Sequence, residues 1–531
     1  MVFSVPNEIK KILFYNLESC DDMNFRRRFR QSAVAFALVL PFAVSAELPM
    51  NYEGEFSVGA GSGDFAPFYI SSLRHGRFTQ ADNVQAEARL WHDMDYDRRF
   101  SFGFGFDVIG GYSSAVSYER YDRESNSWFY HSERPSMLRI QQLYGEIKYR
   151  GVFVEAGMKE HDSPILPQSL TSGDLVESGN ARPIPQIRAG FWDFQNIPFT
   201  NGWMQISGEV AFGKMMDSSW WRDHYNYYSY HICENELYNY KRCYFRTKPT
   251  ERLSVTFGMQ AVAVFGGTNR YYRRGELILE DKYPAGIKEF FMMLLPSKDG
   301  GEGFVSGNHL GTWDIKARYA FANGSELSAY CSWLWEDGSG IGKLNGWDGL
   351  WGLGYKAKSK GLVSGAVVEY LDFTNQSGPI HFAPVDNPGT TVPDHVSGAD
   401  DYYNNASHNS YAYYGQSLGT PAIMAPIYNR DGYPGFIANS LRGFHIGVEG
   451  ELGGDISYRL KGGYRKAWGT SKAMLKTPIH ETAVMLEANW HPATLVKGLS
   501  LNMQVELDRG TMPGNAFGAL VGIKYKISRQ K

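Results

Sequence analysis

The most distinctive residues of this 531-residue chain are aromatic side chains interleaved with polar ones. They occur in the run 220–230, which reads WWRDHYNYYSY, and in a tyrosine-rich patch between positions 402 and 414. An aromatic ring can stack on the C–H face of a sugar, while Asn, Asp and Arg hydrogen-bond its hydroxyl groups. The predicted polysaccharide contacts are Trp220, Trp221, Tyr225, Tyr227, Tyr402, Tyr403, Tyr411 and Tyr413. The alternatives are an aromatic girdle at a membrane interface for the first stretch and loop packing for the second.

Signatures of catalysis and of metal binding are incomplete. His480 and Glu481 begin an H-E-x-x-H motif, but Val484 stands where the second His is needed. The acidic run after Asp93 resembles a calcium loop, yet it has Arg98 at the position that requires Gly. We therefore predict a non-enzymatic protein without a metal or a cofactor. The alternative is an enzyme whose catalytic residues meet only in space.

Composition and charge exclude several classes of protein. Lys+Arg 53 against Asp+Glu 56 gives a net charge of −3, so no basic field favours nucleic acid. Four cysteines are too few for a disulfide scaffold, although Cys233 and Cys243 could form one structural disulfide. No apolar run after residue 46 approaches the ~20 residues of a membrane helix, which excludes a helical membrane protein.

The amino terminus has the pattern of an export signal. A basic cluster at 26–30 precedes an apolar stretch at 33–44 and a small-x-small cleavage pattern that ends at Ala46. We predict a signal peptide over 1–46, with Met23 as an alternative start. Residues 47–531 are then predicted to form a single domain.

The rest of the chain alternates apolar and polar residues with a period of two, which indicates β-strands. Leu499, Leu501 and Met503, for example, alternate with Ser500 and Asn502. Eighteen such segments are predicted near 51–60, 84–92, 99–109, 138–149, 152–159, 185–194, 202–214, 240–246, 252–264, 310–321, 325–335, 348–357, 362–372, 441–451, 455–468, 481–491, 499–507 and 517–527.

The connections between these segments alternate between short turns and long loops, which is typical of an outer-membrane barrel. We predict an all-β fold, a closed antiparallel transmembrane β-barrel with its long loops outside the cell. The non-apolar faces carry charges such as Glu87, Glu369 and Glu506, which suit a polar lumen better than a soluble β-sandwich. Any material that fills the lumen must come from the loops. One loop contains a predicted short helix over 284–295, apolar nearly all round and expected to be buried.

Several stretches resemble the capsule assembly Wzi family. They are SGNARPIPQ at 178–186, PFTNGW at 198–203, WEDGSG at 335–340, DGLWG at 348–352, EY at 369–370 with QSGP at 376–379, and YGQSLGTP at 414–421. The resemblance implies an eighteen-stranded outer-membrane barrel that acts as a lectin for capsular or related polysaccharide. The signature residues Asn180, Arg182, Glu336 and Asp337 would then be either sugar contacts or loop architecture. The aromatic run 220–230 is not part of the family pattern.

The sequence thus predicts a monomeric bacterial outer-membrane protein that holds polysaccharide at the cell surface. Its expected partners are that polysaccharide and outer-membrane lipid. The alternative is a porin-like channel or a substrate-specific transporter, because eighteen strands leave room for an aqueous pore unless loops block it.

Overall fold

The computed structural model describes residues 48–167, 169–294, 307–336, 338–378, 381–382, 396–492 and 496–528. Within these ranges, residues 51–527 form one compact unit around a large antiparallel sheet. The wall strands are β1 Asn51–Gly61, β2 Asn83–His92, β3 Phe100–Ser113, β4 Leu138–Tyr149, β5 Val152–Met158, β6 Gln186–Phe191, β7 Met204–Lys214, β8 Leu237–Thr247, β9 Leu253–Phe265, β10 Asn308–Ala320, β11 Glu326–Trp335, β12 Gly349–Lys356, β13 Gly365–Asp372, β14 Ser440–Glu451, β15 Ile456–Gly469, β16 Met474–Trp490, β17 Leu499–Gly510 and β18 Ala516–Ser528. The predicted signal peptide lies outside the described residues.

The sheet closes into a barrel of eighteen strands. Each strand pairs with the next along the chain, and β1 also pairs with β18. The two-residue segment Gln195–Asn196 pairs with β7, as β6 does, and therefore continues β6. Because closure leaves no free sheet edge, every backbone group in the wall can find a partner inside the bilayer. The predicted closed antiparallel barrel is confirmed.

The period-two pattern separates two faces along each strand. On β2, Val84 is 40% exposed, whereas the neighbouring Gln85 and Glu87 are buried. On β17, Met503 is 55% exposed and Glu506 is 2% exposed. The apolar face therefore points outward from the barrel, and the polar face points into the lumen, as expected for an outer-membrane barrel.

The strand positions agree with the predicted segments, with one notable extension. Strand β16 begins at Met474 and not near residue 481. Pro478 lies where the register between β15 and β16 shifts, and a Pro within an alternating run weakens a strand prediction. The connection between these two strands is thus a tight hairpin.

The long connections all lie at one end of the barrel, called here the loop end, which also has the tight β15–β16 hairpin; the other end, called the turn end, has only shorter connections. The loop-end connections contain the helices Phe68–Ser71, Ser218–His224, Ile287–Met292 and Gly338–Ile341 and the 3-10 turn Pro426–Tyr428. They also contain a hairpin of Val116–Asp122 with Ser127–Glu133, a sheet of Ser229–Glu234, Thr268–Arg273 and Glu276–Lys282, and two-residue pairs of His381–Phe382 with Val396–Ser397 and of Ala412–Tyr413 with Gln416–Ser417. In the described part of the chain, no helix has the length and apolar character needed to cross a bilayer.

The predicted helix at 284–295 is shorter than expected and is not buried. It spans Ile287–Met292, with Ile287 79% and Phe291 69% exposed. Only one side of it packs on the barrel, where Phe290 contacts the rings of Phe212 and Phe265. The prediction of burial was wrong because an apolar composition does not by itself supply a neighbour on every side.

Candidate functional site

The first long loop enters the barrel and binds the lumen face of the wall. The backbone N–H groups of Tyr69 and Ile70 donate to the two carboxylate oxygens of Glu506, each at 2.7 Å. The N–H of Phe68 donates to Asp508 at 2.8 Å. Carboxylates on the lumen face of the wall thus bind the backbone of a loop. In an open porin the same groups would contact water.

The loop between β5 and β6 enters the lumen beside the first. Thr171 Oγ1 donates to Glu369 at 2.8 Å, and the Ser172 N–H donates to the other carboxylate oxygen at 2.6 Å. The Tyr330 hydroxyl completes this site at 2.6 Å from Glu369. Because Glu369 is fully buried, these three donors replace the water that it would otherwise need.

The largest loop covers the other two. The guanidinium of Arg465, on β15, donates to the carbonyls of Pro421 and Ala422 at 2.9 and 2.7 Å. Ser178 Oγ donates to the Gly419 carbonyl at 2.7 Å, which links the largest loop to the β5–β6 loop. These three loops, called here the plug, enter the lumen and bind its wall.

Most of the aromatic residues predicted to bind polysaccharide are buried in this plug. Their exposed fractions are 0% for Trp221, Tyr225, Tyr402 and Tyr403, 1% for Tyr411 and 2% for Tyr413. A ring without an exposed face cannot stack on a polymer at the cell surface. The prediction was therefore wrong for these six residues, and the alternative of loop packing holds for the tyrosine-rich patch.

The buried tyrosines also use their hydroxyl groups inside the protein. The Tyr403 hydroxyl donates to the Leu175 carbonyl at 2.6 Å, and the Tyr411 hydroxyl donates to the Val176 carbonyl at 2.8 Å. Tyrosine suits these positions because its ring fills space while its hydroxyl satisfies a backbone carbonyl that is cut off from water.

The family signature residues serve mainly as loop architecture. Asn180 accepts from the Leu73 N–H at 3.1 Å and donates to the Ser417 carbonyl at 3.1 Å. Glu336 accepts from the Tyr403 N–H at 2.5 Å. Both residues join loops that are distant in sequence, which explains their polar character without a ligand. Asp337 lies outside the described residues.

Two of the predicted residues, Arg182 and Trp220, line an open groove at the loop end. This loop-end groove is bounded by Gly76, Thr79, Gln80, Tyr118, Glu133, Arg134, Pro135, Arg182, Trp220, Tyr414, Gln416 and Ile427. The Arg182 guanidinium lies 4.2 Å above the ring centre of Tyr414. Trp220 stacks on His224 with ring centres 4.4 Å apart. The groove is therefore partly aromatic.

The groove also carries hydrogen-bonding capacity. Burial lowers the pKa of the Arg182 guanidinium, and the neighbouring Tyr414, Tyr413 and Asp217 oppose that shift. Oε1 of Gln416 is buried and has no hydrogen-bond partner among the described residues. A donor and an acceptor beside an aromatic ring form the combination that recognises a hydroxyl-rich ligand.

Beyond the groove, exposed rings form a surface that the sequence reasoning did not single out. Trp128 lies 5.0 Å from Tyr228, and both pack against Tyr121, with ring centres 5.4 and 5.1 Å from it. Trp128 is 47% and Tyr228 36% exposed, and nearby Tyr130 is 70% exposed. Trp128, Tyr130 and Tyr228 are called here the loop-end aromatic patch. The sequence signal that could have identified this patch was the aromatic run SWFYH at 127–131.

This patch lies in the connections between the wall strands. Trp128 and Tyr130 lie on the hairpin Val116–Asp122 with Ser127–Glu133, which follows β3 and contacts other loops, and Tyr228 lies in the β7–β8 loop. The Glu119 N–H donates to the Arg430 carbonyl at 2.8 Å, and the Tyr121 N–H donates to the Asn226 carbonyl at 3.0 Å. The hairpin therefore leans over the plug.

Tyr227, the remaining predicted contact, is half-buried between loops. Its ring lies 4.9 Å from that of Tyr272 and carries the guanidinium of Arg120 at 4.9 Å. It supports the hairpin that bears the patch.

Cys233 and Cys243 are both free thiols, so the disulfide considered from the sequence is not present. Cys233 lies beside the Gly266 carbonyl, at the level where Leu237 pairs with Phe265. Cys243 lies farther down β8, about 20 Å from Leu237 at the usual rise per residue. A disulfide needs Cα atoms within about 7 Å.

Together, the closed wall, the outward apolar face and the polar lumen define an outer-membrane β-barrel, here one filled by its own loops. A solved structure with the same fold is described as Wzi, an outer-membrane protein involved in group 1 capsule assembly in Escherichia coli and a carbohydrate-binding β-barrel. The two chains are 12% identical, and the alignment covers 94% of this chain and 88% of that one with a TM-score of 0.54. This similarity confirms the predicted Wzi-like fold.

Two other solved barrels align less well. They are OccAB2 of Acinetobacter baumannii, with 9% identity and a TM-score of 0.44, and OprD of Pseudomonas aeruginosa, with 8% identity and a TM-score of 0.41. Each alignment covers 91% of this chain, with 98% and 96% of the respective neighbour. No family model and no curated protein sequence matches the chain.

Proposed function

We propose that this protein is a non-enzymatic binder of surface polysaccharide that holds the polymer at the outer membrane, with the loop end facing the cell exterior. The observation that carries this proposal is the loop-end aromatic patch, where Trp128 and Tyr228 present adjoining rings to solvent. Sugar rings stack on such surfaces through their C–H faces, and modest contacts add up along a repeating polymer.

The surroundings of the patch support the same proposal. The loop-end groove offers the Arg182 guanidinium and the Gln416 amide, which would hydrogen-bond sugar hydroxyls. The hairpin that bears Trp128 is held by other loops before any ligand arrives, through the bonds of the Glu119 N–H to the Arg430 carbonyl and of the Tyr121 N–H to the Asn226 carbonyl. Little ordering entropy is then lost on binding. The carbohydrate-binding description of the Wzi structure agrees with this reading.

The alternative of an open channel is less well supported by the lumen. A diffusion pore needs polar wall groups in contact with water, whereas here Glu369 and Glu506 hydrogen-bond the plug. A channel would require the plug to leave the lumen and these carboxylates to find other partners.

The test measures polysaccharide binding by the purified barrel in detergent, with surface polysaccharide extracted from the producing cells immobilised on a sensor. We expect Trp128→Ala combined with Tyr228→Ala to lower the affinity at least about tenfold, which corresponds to about 1.4 kcal/mol. Tyr525→Ala is the matched control, because Tyr525 is a comparably exposed ring (46%) on the wall strand β18.

Unchanged affinity in the double variant would contradict the proposal, as would equal losses in the variant and the control. In cells, the double variant should release polysaccharide into the medium at normal levels of barrel. Steady ion current from the wild-type protein in planar bilayers would instead favour the channel.

A further inference from the structure

A second cavity lies at the turn end of the barrel, on the opposite side of the plug from the loop-end groove. It has an empty volume of about 660 Å³ when the open solvent at its mouth is counted. Its lining comes from the turn residue Tyr96, from wall strands β4 to β8 and from the start of the β5–β6 loop. The cavity therefore faces the compartment that the short turns face.

Two aromatic rings contribute to the mouth of this cavity. Tyr96 is 49% and Trp192 36% exposed, and their ring centres are 5.0 Å apart. The Trp192 indole N–H donates to the Arg150 carbonyl at 2.9 Å, which fixes the indole. Lys148 lies 5.4 Å from the Trp192 ring and donates to the Tyr96 carbonyl at 2.8 Å, so both turns are tied to one wall residue. The rings form a preorganised aromatic platform.

One side of the cavity is a line of alternating charges. The Lys159 ammonium lies 2.6 Å from Glu146 and 3.3 Å from Glu155. His161 lies 2.9 Å from the other oxygen of Glu155. Lys159 keeps 23% of its side chain exposed, so this ion-pair cluster borders the open space of the cavity.

The other side repeats this arrangement with guanidinium groups. Glu209, on β7, pairs with Arg188 at 2.6 Å and with Arg242 at 3.0 Å. Arg188 also lies 4.7 Å from the ring centre of Tyr240, which adds an aromatic surface deeper in the cavity. Arg188 also pairs at 2.8 Å with Glu177 of the β5–β6 loop, so the plug closes the inner side of the cavity.

We propose that this turn-end cavity is a second binding site for a hydroxyl-rich oligosaccharide. Glu146, Glu155, Lys159, Arg188, Glu209 and Arg242 are joined in ion pairs within the lining, and Asp162 adds an exposed carboxylate, so the cavity offers both donors and acceptors to a ligand. A sugar hydroxyl both donates and accepts, which suits such a lining, and the Tyr96–Trp192 platform provides a stacking surface at the entrance.

A polymer chain, or the end of one, would enter this site from the turn end of the barrel. This inference rests on the proposed function for the class of polymer, but not for the location or the lining of the cavity. The two sites lie at opposite ends of a filled barrel, so each can be removed without touching the other.

The experiment is a calorimetric titration of the full-length barrel in detergent with one probe, namely tetra- to hexasaccharides released from the producing cells' surface polysaccharide by mild acid. The background is Trp128→Ala with Tyr228→Ala, which removes the loop-end patch. In that background we expect binding to persist, and Tyr96→Ala with Trp192→Ala to lower its affinity at least tenfold. Trp192→Phe should restore most of it, because the stacking face is kept.

Folding is monitored in every variant by the mobility shift between unheated and heated samples on denaturing gels. If the loop-end background no longer binds the probe while the wild type does, the turn-end site is overturned and the proposed function stands. If Tyr96→Ala with Trp192→Ala binds as the background does, the cavity is not a site. If the Tyr96 and Trp192 substitutions abolish binding and the Trp128 and Tyr228 substitutions do not change it, the proposed function fails and this inference survives. If the wild-type protein does not bind the probe, both are overturned.

Discussion

The Tyr69 hydroxyl lies 2.7 Å from Nδ1 of His445, and the other ring nitrogen of His445 lies 2.7 Å from the Leu170 carbonyl. A single wall histidine on β14 thereby joins two loops that are about a hundred residues apart. Such contacts make the plug part of the barrel and not a separate domain. The wall and the plug should therefore lose structure together when their shared hydrogen bonds are removed.

Removal of a wall carboxylate should open the lumen. In Glu506→Ala, the buried N–H groups of Tyr69 and Ile70 lose their acceptor, at a cost of about 1–3 kcal/mol for each. We expect ion conductance in planar bilayers to rise above that of the wild type. Glu449→Ala is the control, because a third of the Glu449 side chain is exposed and its ion pair with Arg459 is long at 3.7 Å. Equal conductance in both variants would show that the plug does not depend on Glu506.

Substitution of the buried rings should affect stability and only indirectly affect binding. Trp221→Ala and Tyr413→Ala each leave a cavity in the loop core, which costs about 3–5 kcal/mol for a large aromatic residue. We expect faster cleavage of the loops by added protease in both variants. Tyr130→Ala should be cleaved at the wild-type rate, because Tyr130 is already 70% exposed. Equal protease resistance in all three variants would contradict the conclusion that Trp221 and Tyr413 lie in a packed core of loop residues.

The attachment of the largest loop to its neighbours should weaken as the pH rises through neutrality. Burial raises the pKa of Asp217 to about 7 and that of Glu236 to about 8, and both accept hydrogen bonds from the largest loop, from the N–H groups of Tyr414 and Asn409. The folded state then binds more protons than the unfolded state between about pH 4 and pH 8, where unfolded carboxyls have lost theirs. The stabilisation is complete below about pH 4 and is lost as the pH rises through the folded values.

Protease resistance of the largest loop should accordingly be greater at pH 5.5 than at pH 8.5. Asp217→Asn with Glu236→Gln should flatten this dependence, because the amides cannot ionise. Resistance that increases with pH in the wild type would reverse the sign and refute the assignment.

The shape of the loop-end groove should depend on one glycine. Gly415 has a φ of 75°, and a Cβ there would lie 2.2 Å from the Trp220 ring. Gly415→Ala should therefore displace Trp220 and lower polysaccharide affinity. Gly453→Ala is the control, since Gly453 has a φ of 72° with no atom within 4 Å of a Cβ. It carries the same backbone strain without the clash, so equal binding by the two variants would remove the groove from the site.

The local sequence pattern determined the wall of this barrel. Alternation along β17 places Met503 outside and Glu506 inside, and each side chain has one environment because a strand has only two faces. The same reasoning located the loop end and the turn end from the lengths of the connections. The one substantial difference in length, at the start of β16, occurs where Pro478 accompanies a shift of register.

Only the tertiary structure decided which aromatic side chains reach solvent. A loop has no period, so the exposure of a ring depends on partners far along the chain. The Tyr411 hydroxyl, for example, bonds to the carbonyl of Val176, which lies 235 positions away. Trp128 and Tyr228 are of the same residue types as the buried rings, but they lie on loop segments that leave them partly exposed to solvent. Sequence composition therefore identified an aromatic loop end, while long-range packing decided that the tyrosine-rich patch is core and the hairpin carries the exposed surface.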